Sequence, residues 1–180
     1  MGPEEVRIVR AVMPLVAGWD TVTMSQVAEA AGIPEAALLA VFADKEAVLL
    51  ACMAVLQADM AEALDPAEAL RELAAVPVDR PLAARLTDAL DILDAYYERV
   101  RARLDRLPTG EPARPFSRAD SRIVGRFPEI LEAFARLLEP HQAEFRLPAA
   151  ALADALIGIQ TRSTLSTEQL VDLFLHGAVR

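Results

Sequence analysis

Apolar side chains along this chain recur at intervals of three and four residues, the spacing of one face of an α-helix. No segment shows the alternation of apolar and polar residues that is typical of a strand. The sequence also contains no internal repeat of about 20 to 50 residues. The pattern therefore predicts an all-α protein of about ten helices without a sheet.

Prolines, glycines and capping residues divide this pattern into segments. Pro14 lies inside the first helix and should kink it or end it early, and Gly18 should end it in any case. Pro34 suits the first position of a helix that ends near Phe42. The predicted helices cover residues 4–17, 23–32, 34–42, 45–63, a short stretch after 65, 81–107, 117–126, 128–140, 148–161 and 167–179.

Three helix starts carry recognisable caps. Thr23 with Gln26, and Ser166 with Gln169, have the spacing of a capping box, in which each side chain satisfies a free backbone N–H of the other residue. Asp44 should cap the helix that begins at Lys45.

The cysteine count, the apolar stretches and the net charge indicate in which cellular compartment the protein is expected. The single cysteine, Cys52, excludes an internal disulfide and lies in an apolar run typical of a core, which fits a reducing cytoplasm. The uncharged stretch around it, residues 47–58, is shorter than the roughly 20 residues of a bilayer-spanning helix, and the N-terminus lacks the pattern of a secretory signal. We therefore expect a cytoplasmic protein without a membrane span, whose net charge of −9 disfavours unselective attraction to nucleic acid.

The first 43 residues have the layout of a helix-turn-helix, with three short helices joined by turns at GWDTVT and AGIP. Ala28 and Ala31 are small where two helices must cross, and Gly32 supplies the turn. The predicted miniature core consists of Trp19, Val27, Ile33, Leu38 and Phe42.

The stretch GWDTVTMSQVAEAAGIPEAALLAVFADKEAVL resembles the N-terminal domain of the TetR family of bacterial transcriptional regulators. The C-terminal TLSTEQLVDLFLHGAVR resembles the last helix of that family. The resemblance implies a DNA-binding domain over residues 1–44 and a ligand-binding and dimerisation domain over 45–180. It also implies a homodimer through the last two helices, a double-stranded DNA operator as partner, and a ligand-responsive regulator, in the commonest case a repressor.

The recognition helix departs from the family pattern. Family members usually place a small hydroxyl, Lys, Thr, Tyr and His at five positions that are occupied here by Pro34, Glu35, Ala37, Leu39 and Ala40. A bidentate contact to a base contributes about 1–3 kcal/mol of discrimination, and neither Ala nor Leu can make one. Glu35 could accept a hydrogen bond from the amino group of cytosine, but its negative charge is repelled by the phosphates.

The charge of this region is also unusual for a DNA-binding domain, which is normally basic. Residues 1–55 carry Arg7, Arg10 and Lys45 against seven acidic side chains, a net charge of −4. We therefore expect helix ends to hold phosphates and methyl groups to contact thymines. The predicted DNA-contacting residues are Thr23, Ser25, Gln26, Pro34, Glu35, Ala36, Ala37, Leu39, Ala40 and Lys45.

A basic segment lies elsewhere in the chain. Residues 99–126 contain eight arginines against three acidic side chains, a local charge of +5. These arginines either form solvated helix faces paired with nearby acids, such as Asp91, Asp94 and Glu98, or build a site for an anionic ligand or partner.

The resemblance places a small hydrophobic or aromatic ligand between the central helices. The candidate contacts, for each of which plain core packing is an equal alternative, are Met53, Met60, Tyr96, Tyr97, Phe116, Phe127 and Phe134. His141 and His176 fit no metal-ligand spacing, and no catalytic or cofactor motif stands out, so neither an enzyme nor a cofactor is expected. The alternative to a regulator is a dimeric ligand-binding or protein-interaction module that keeps the fold but no longer reads DNA.

Overall fold

A computed structural model of the chain describes residues 1–106 and 127–178. These residues form α-helices and two 3₁₀ segments and contain no strand, which confirms the all-α prediction. The predicted helix over 117–126 and the candidate Phe116 lie outside the described residues.

The helix bounds follow the predicted segments closely. The α-helices are α1 (Pro3–Val12), α2 (Met24–Ala31), α3 (Glu35–Val41), α4 (Lys45–Ala63), α5 (Ala67–Ala74), α6 (Leu82–Leu104), α7 (Pro128–Leu138), α8 (Ala149–Gln160) and α9 (Thr167–Ala178). The two 3₁₀ segments are Met13–Thr21 and Glu139–Glu144.

The first helix is shorter than a continuous segment over 4–17. Helix α1 ends at Val12, and a 3₁₀ segment over Met13–Thr21 follows it. Pro14 has no backbone N–H and its ring crowds the preceding turn, which ends the α-helical hydrogen bonding. Gly18, at φ −107° and ψ 24°, then leaves helical geometry. The expectation that Pro14 ends the helix early is confirmed.

Side-chain caps begin α2, α4 and α9 as predicted. In the Thr23 box, the Gln26 N–H donates to Thr23 Oγ1 (3.3 Å) and the Thr23 N–H donates to Gln26 Oε1 (2.9 Å). The Ala47 N–H donates to Asp44 Oδ1 at 2.8 Å. The Ser166–Gln169 box repeats the Thr23 arrangement at α9. These caps satisfy N–H groups that have no partner inside the helix.

Gly32 provides the left-handed residue that ends α2. Its φ of 68° and ψ of 30° are costly for any residue with a Cβ atom. Its N–H donates to the Glu29 carbonyl (3.0 Å), and the Ile33 N–H donates to the Ala28 carbonyl (3.1 Å). The chain therefore reverses between α2 and α3 without leaving the last carbonyls of α2 unpaired.

Replacing Gly32 by Ala should lower the free energy of unfolding by about 1 kcal/mol, because the left-handed conformation strains an L-residue although the space around the new Cβ is open. Replacing it by Asn should cost less, since Asn tolerates this conformation. Urea denaturation of the two variants checks the order. Equal losses would show that the backbone strain at this position is not the cause.

The chain forms two compact units. The described part of the first unit consists of Met1–Ala63 and residues 103–106. Helix α1 packs against α2 and α4, with Ile8, Val12 and Val48 fully buried between them. Cys52 is 1% exposed in this core, as predicted, and its burial raises the pKa of the thiol. Arg10 of α1 forms a bidentate ion pair with Asp59 of α4, with N–O distances of 2.8 and 3.0 Å.

The second unit contains Leu64–Ala102 and residues 127–178. Helix α7 packs against α5 and α8, and α8 also packs against α9. Leu90 and Phe134 are fully buried in this core. The buried Gln160 amide of α8 donates to the Leu90 carbonyl of α6 at 3.1 Å, which fixes the position of α8 along α6.

The segment Lys45–Ala74 includes an 18-residue window with a mean hydropathy of 1.7, of which 22% is buried. By length and composition alone it is apolar enough to cross a membrane. Core helices pass the same test, so one such segment is weak evidence for a span.

Candidate functional site

Helices α2 and α3 have the geometry of a helix-turn-helix. Ala28 and Ala31 of α2 are buried and small, so that α3 can approach closely. Leu38 is fully buried at the centre of α3, and Phe42 closes the core at its end. Trp19 and Ile33 are partly buried and pack against the same core. The spacing of these residues therefore builds the predicted miniature core.

The outer surface of α3 lacks hydrogen-bond donors in its side chains. Glu35, Ala36, Ala37 and Ala40 are exposed, and Leu39 is 48% exposed. A helix with this surface offers one carboxylate, several methyl groups and one isobutyl group to a partner. It can contact apolar groups on bases, but it cannot make the bidentate donor contacts that distinguish guanine or adenine.

Pro34 occupies a different position from the predicted one. With φ −61° and ψ 144° it is the N-cap of α3 rather than its first helical residue. Its carbonyl accepts from the N–H groups of Ala37 (2.9 Å) and Leu38 (3.1 Å). Glu35 therefore begins the seven-residue helix α3.

The start of α2 supplies neutral donors. Thr23, Ser25 and Gln26 are all exposed, but the Thr23 hydroxyl and the Gln26 carbonyl oxygen are engaged in the capping box. In the part of the chain that the structure describes, the Ser25 hydroxyl and the Gln26 amide nitrogen have no side-chain partner. These two groups can donate to a phosphate without breaking the cap.

The Lys45 ammonium is held by neighbouring groups. Its Nζ atom donates to the Asp20 carbonyl (3.3 Å) and lies 5.5 Å from the centre of the Trp19 ring. A cation over an indole ring is attracted to the ring quadrupole. Together with the Arg10–Asp59 pair, this contact occupies two of the three cations in residues 1–55. Residues 1–55 thus have little uncommitted positive charge for phosphates.

The six described ligand candidates lie in different surroundings. Met53 and Met60 are 52% and 42% exposed on α4 in the first unit, whereas Tyr96, Tyr97 and Phe134 are buried in the second. Phe127 is half-buried at the start of α7. None of them lines either of the cavities described below, and their role as ligand contacts stays a prediction.

Tyr96 and Tyr97 differ in how their hydroxyls are satisfied. The Tyr96 hydroxyl donates to the Leu64 carbonyl at 2.6 Å. The buried Tyr97 hydroxyl has no hydrogen-bond partner among the described residues. Burial raises the pKa of Tyr96 to about 12 and raises that of Tyr97 further, because the phenolate form would lose its hydration.

Replacing Tyr96 by Phe should lower the free energy of unfolding by about 1 kcal/mol, because it removes the bond to the Leu64 carbonyl. Replacing Tyr97 by Phe should be neutral or stabilising, since it removes a buried hydroxyl that has no described partner. Thermal unfolding of the two variants provides the comparison. A greater loss from Tyr97→Phe would show that this hydroxyl has a partner.

Described residues of the second unit line at least two cavities. One of about 520 Å³ lies between α5, the start of α6 and α7, and Arg85 contributes to its wall. The other, of about 450 Å³, is almost wholly apolar and lies against α8 and α9, where Leu147, Ile159 and Leu173 line it. Arg85 was not predicted as a site residue, although it interrupts the apolar stripe of α6 that continues through Ala89 and Leu93.

Part of the Arg-rich segment lies within the described chain. Arg99 is 3.5 Å from Glu68 and 3.6 Å from Glu72, both on α5. Arg101 pairs with Glu98 on the same helix, and Arg103 donates to the Glu62 carbonyl at 3.0 Å. For Arg99 and Arg101 the structure favours pairing with nearby acids, whereas Arg103 is held by a backbone carbonyl. The arginines at 114, 118, 122 and 126 lie outside the described residues.

Residues 1–106 and 127–178 contain no group of three or more His, Cys, Asp or Glu side chains that could hold a metal ion. His141 contacts Glu144 at 3.0 Å, and His176 contacts Asp172 at 3.3 Å. Each histidine therefore pairs with one acid on its own element.

Comparison with known proteins gives one family match. Residues 16–52 match the model described as bacterial regulatory proteins of the tetR family. No curated protein matches the sequence significantly. Among solved structures, the fatty acid degradation regulator FadR from Bacillus halodurans is similar, with 16% identity over 98% of this chain and 94% of that chain and a TM-score of 0.34.

Proposed function

Since residues 16–52 make this chain a member of the TetR family of bacterial transcriptional regulators, we propose that it is a homodimeric, ligand-responsive repressor that binds a double-stranded DNA operator in the cytoplasm. The observation that carries the proposal is the complete helix-turn-helix geometry inside the matched residues, from the Thr23 cap through Gly32 to the buried Leu38. DNA binding is assigned to residues 1–44, and ligand binding and dimerisation to residues 45–180.

The proposed DNA contacts use position and shape more than base-specific hydrogen bonds. Ser25 and the Gln26 amide donate to phosphates, aided by the backbone at the starts of α2, α3 and α4. The methyl groups of Ala37 and Ala40 and the exposed Leu39 contact thymine methyls in the major groove. The remaining members of the proposed contact set are Thr23, Pro34, Glu35, Ala36 and Lys45.

The proposed dimer forms through α8 and α9. Apolar side chains are exposed on and around these helices: Leu147 is 52%, Ile159 40% and Leu173 57% exposed. Together with Leu152 and Phe174 they line the apolar cavity of about 450 Å³. A second copy of the same surface would remove these side chains from water, and two-fold symmetry makes such an interface self-complementary.

Regulation follows from the dimer geometry. The two recognition helices must lie about 34–36 Å apart to enter successive major grooves. A ligand that binds better to a state with another spacing shifts the population toward that state and releases the DNA.

The direct test is retardation of DNA that contains the gene's own upstream region, at low salt and without added ligand. The expected result is a dimer in analytical ultracentrifugation and a retarded complex with that DNA. A dimer that fails to retard this DNA would contradict the assignment of a DNA-binding regulator.

A second function is favoured by the charge of residues 1–55. With a net charge of −4 over residues 1–55, and with Arg10 and Lys45 engaged by neighbouring groups, the domain could serve a dimeric ligand-binding or protein-interaction module that no longer reads DNA. A Leu39→Tyr variant discriminates the two. If it binds DNA where the native dimer does not, the scaffold is intact and the native chain is such a module.

A further inference from the structure

The cavity of about 520 Å³ in the second unit combines apolar walls with a buried cation. Leu70, Leu73 and Val76 line it from α5 and the turn that follows, and Leu137 lines it from α7. Its volume lies within the range of about 300–1,000 Å³ typical of small-molecule sites. The walls therefore suit the apolar body of a small molecule.

Arg85 contributes the cation. Its side chain lies in the first turn of α6 and is 3% exposed, and its Nε atom is buried without a hydrogen-bond partner in the described chain. No ion pair between Arg85 and another described residue is present. Removing a guanidinium from water without an opposite charge is strongly unfavourable.

Other arginines of the second unit have carboxylates close to the guanidinium group. Arg99 has Glu68 and Glu72 of α5 at N–O distances of 3.5 and 3.6 Å, although its Nη2 atom also lacks a hydrogen-bond partner in the described chain. Arg136, which lines the same cavity as Arg85, is two-thirds exposed and forms a 2.5 Å pair with Glu132. Arg85 is more buried than either of these arginines and has no such carboxylate among the described residues. An anionic ligand would supply the negative charge that is missing beside its guanidinium group.

The geometry points to a binding site for a small monocarboxylate with an apolar body, in which the carboxylate accepts hydrogen bonds from the Arg85 guanidinium. An arginine fork matches a carboxylate with two parallel N–H···O bonds. The body of the ligand then lies against Leu70, Leu73 and Leu137. The inference that this ligand regulates the protein rests on the proposed function. Binding of the monocarboxylate does not depend on whether the protein binds DNA.

The charges around the cavity favour a single negative charge. The cavity lining contains Arg85, Arg136, Glu129 and Glu132, and the described ion pair joins Arg136 to Glu132, which leaves Arg85 without a carboxylate partner among the described residues. A dianion such as a phosphate monoester would bring a second negative charge toward these carboxylates without a second free cation. A monocarboxylate adds one charge opposite one unpaired guanidinium.

The test compares carboxylic acids with alcohols of the same body on the full chain. Isothermal titration of octanoate and 1-naphthoate against 1-octanol and 1-naphthalenemethanol should show a preference of at least about tenfold for the acids, the size expected of a charge-assisted hydrogen bond. Arg85→Met should abolish the preference but keep weak binding of the alcohols. Arg101→Met, at an arginine of the same helix that pairs with Glu98 and does not line the cavity, should retain it.

Three results would overturn the assignment: no binding of either acid to the native chain, equal binding of acids and alcohols, or a preference that survives in Arg85→Met. The thermal stability of ligand-free Arg85→Met supplies a second readout. It should equal or exceed that of the native chain, because an unpaired buried charge is removed. A large loss would assign Arg85 a structural partner instead. Titration is carried out without DNA, so failure of this site and failure of DNA binding are seen separately.

Discussion

Replacing Leu38 by Ala is expected to lower the free energy of unfolding by about 2–5 kcal/mol, the usual cost of such a truncation in a well-packed core. Leu38 is fully buried at the centre of α3, where it packs with the first unit's core. A seven-residue helix is too short to be stable without such packing, so the loss should also unfold the recognition helix. Urea denaturation followed by circular dichroism measures the change.

Leu39→Ala is the matched control, because it removes the same atoms from the next position of the same helix. Leu39 is 48% exposed, so its truncation should change stability by no more than about 0.5 kcal/mol. The same variant should weaken DNA binding through loss of apolar contact. If the two truncations destabilise equally, α3 does not present Leu38 to the core and Leu39 to a partner.

Replacing Glu35 by Lys is expected to raise DNA affinity about tenfold or more at low salt and to steepen its salt dependence. The change removes an exposed carboxylate at the first residue of the recognition helix and adds a cation there. Each additional phosphate neutralised by the protein makes the slope of log K against log salt steeper by roughly 0.9. Fluorescence anisotropy of a labelled duplex over a salt series measures both quantities.

The control for this variant is Glu139→Lys, which makes the same change in net charge at an exposed position in the second unit. Its DNA affinity should stay close to that of the native chain. An equal rise in both variants would show that net charge alone governs binding and that α3 has no special proximity to DNA.

Local signals in the sequence were sufficient for the helix-turn-helix. The Thr23–Gln26 box, the Asp44 cap and the left-handed Gly32 are each determined by residues within four positions, so spacing alone predicts them. Leu38 and Phe42 follow the apolar period of the same short segment. The family match over residues 16–52 covers this part of the chain.

Features set by tertiary packing could not be predicted in the same way. The Arg99 pairs with Glu68 and Glu72 depend on how α5 lies against α6. The engagement of Lys45 by Trp19 depends on the fold of the Met13–Thr21 segment, which brings the Trp19 ring to the start of α4. Arg85 could have been noticed, since a charged residue within an apolar helical stripe is unusual, but its cavity needed the position of α7.

These observations separate the scaffold from base recognition. The scaffold residues Gly32, Leu38 and Phe42 have the expected positions, while the exposed surface of α3 carries methyl groups and one carboxylate. Such a surface favours binding with few phosphate contacts and with selectivity from groove shape and thymine methyls. The operator should therefore be discriminated modestly from other sequences.

The decisive measurement is the affinity of the native protein for a duplex from its own upstream region, compared with a scrambled duplex, between about 50 and 200 mM salt. We expect tighter binding of the upstream duplex and a log–log slope shallower than the value of about −5 expected of six phosphate contacts. No affinity for either duplex at the lowest salt, or equal affinity for both, would overturn selective DNA binding by this protein.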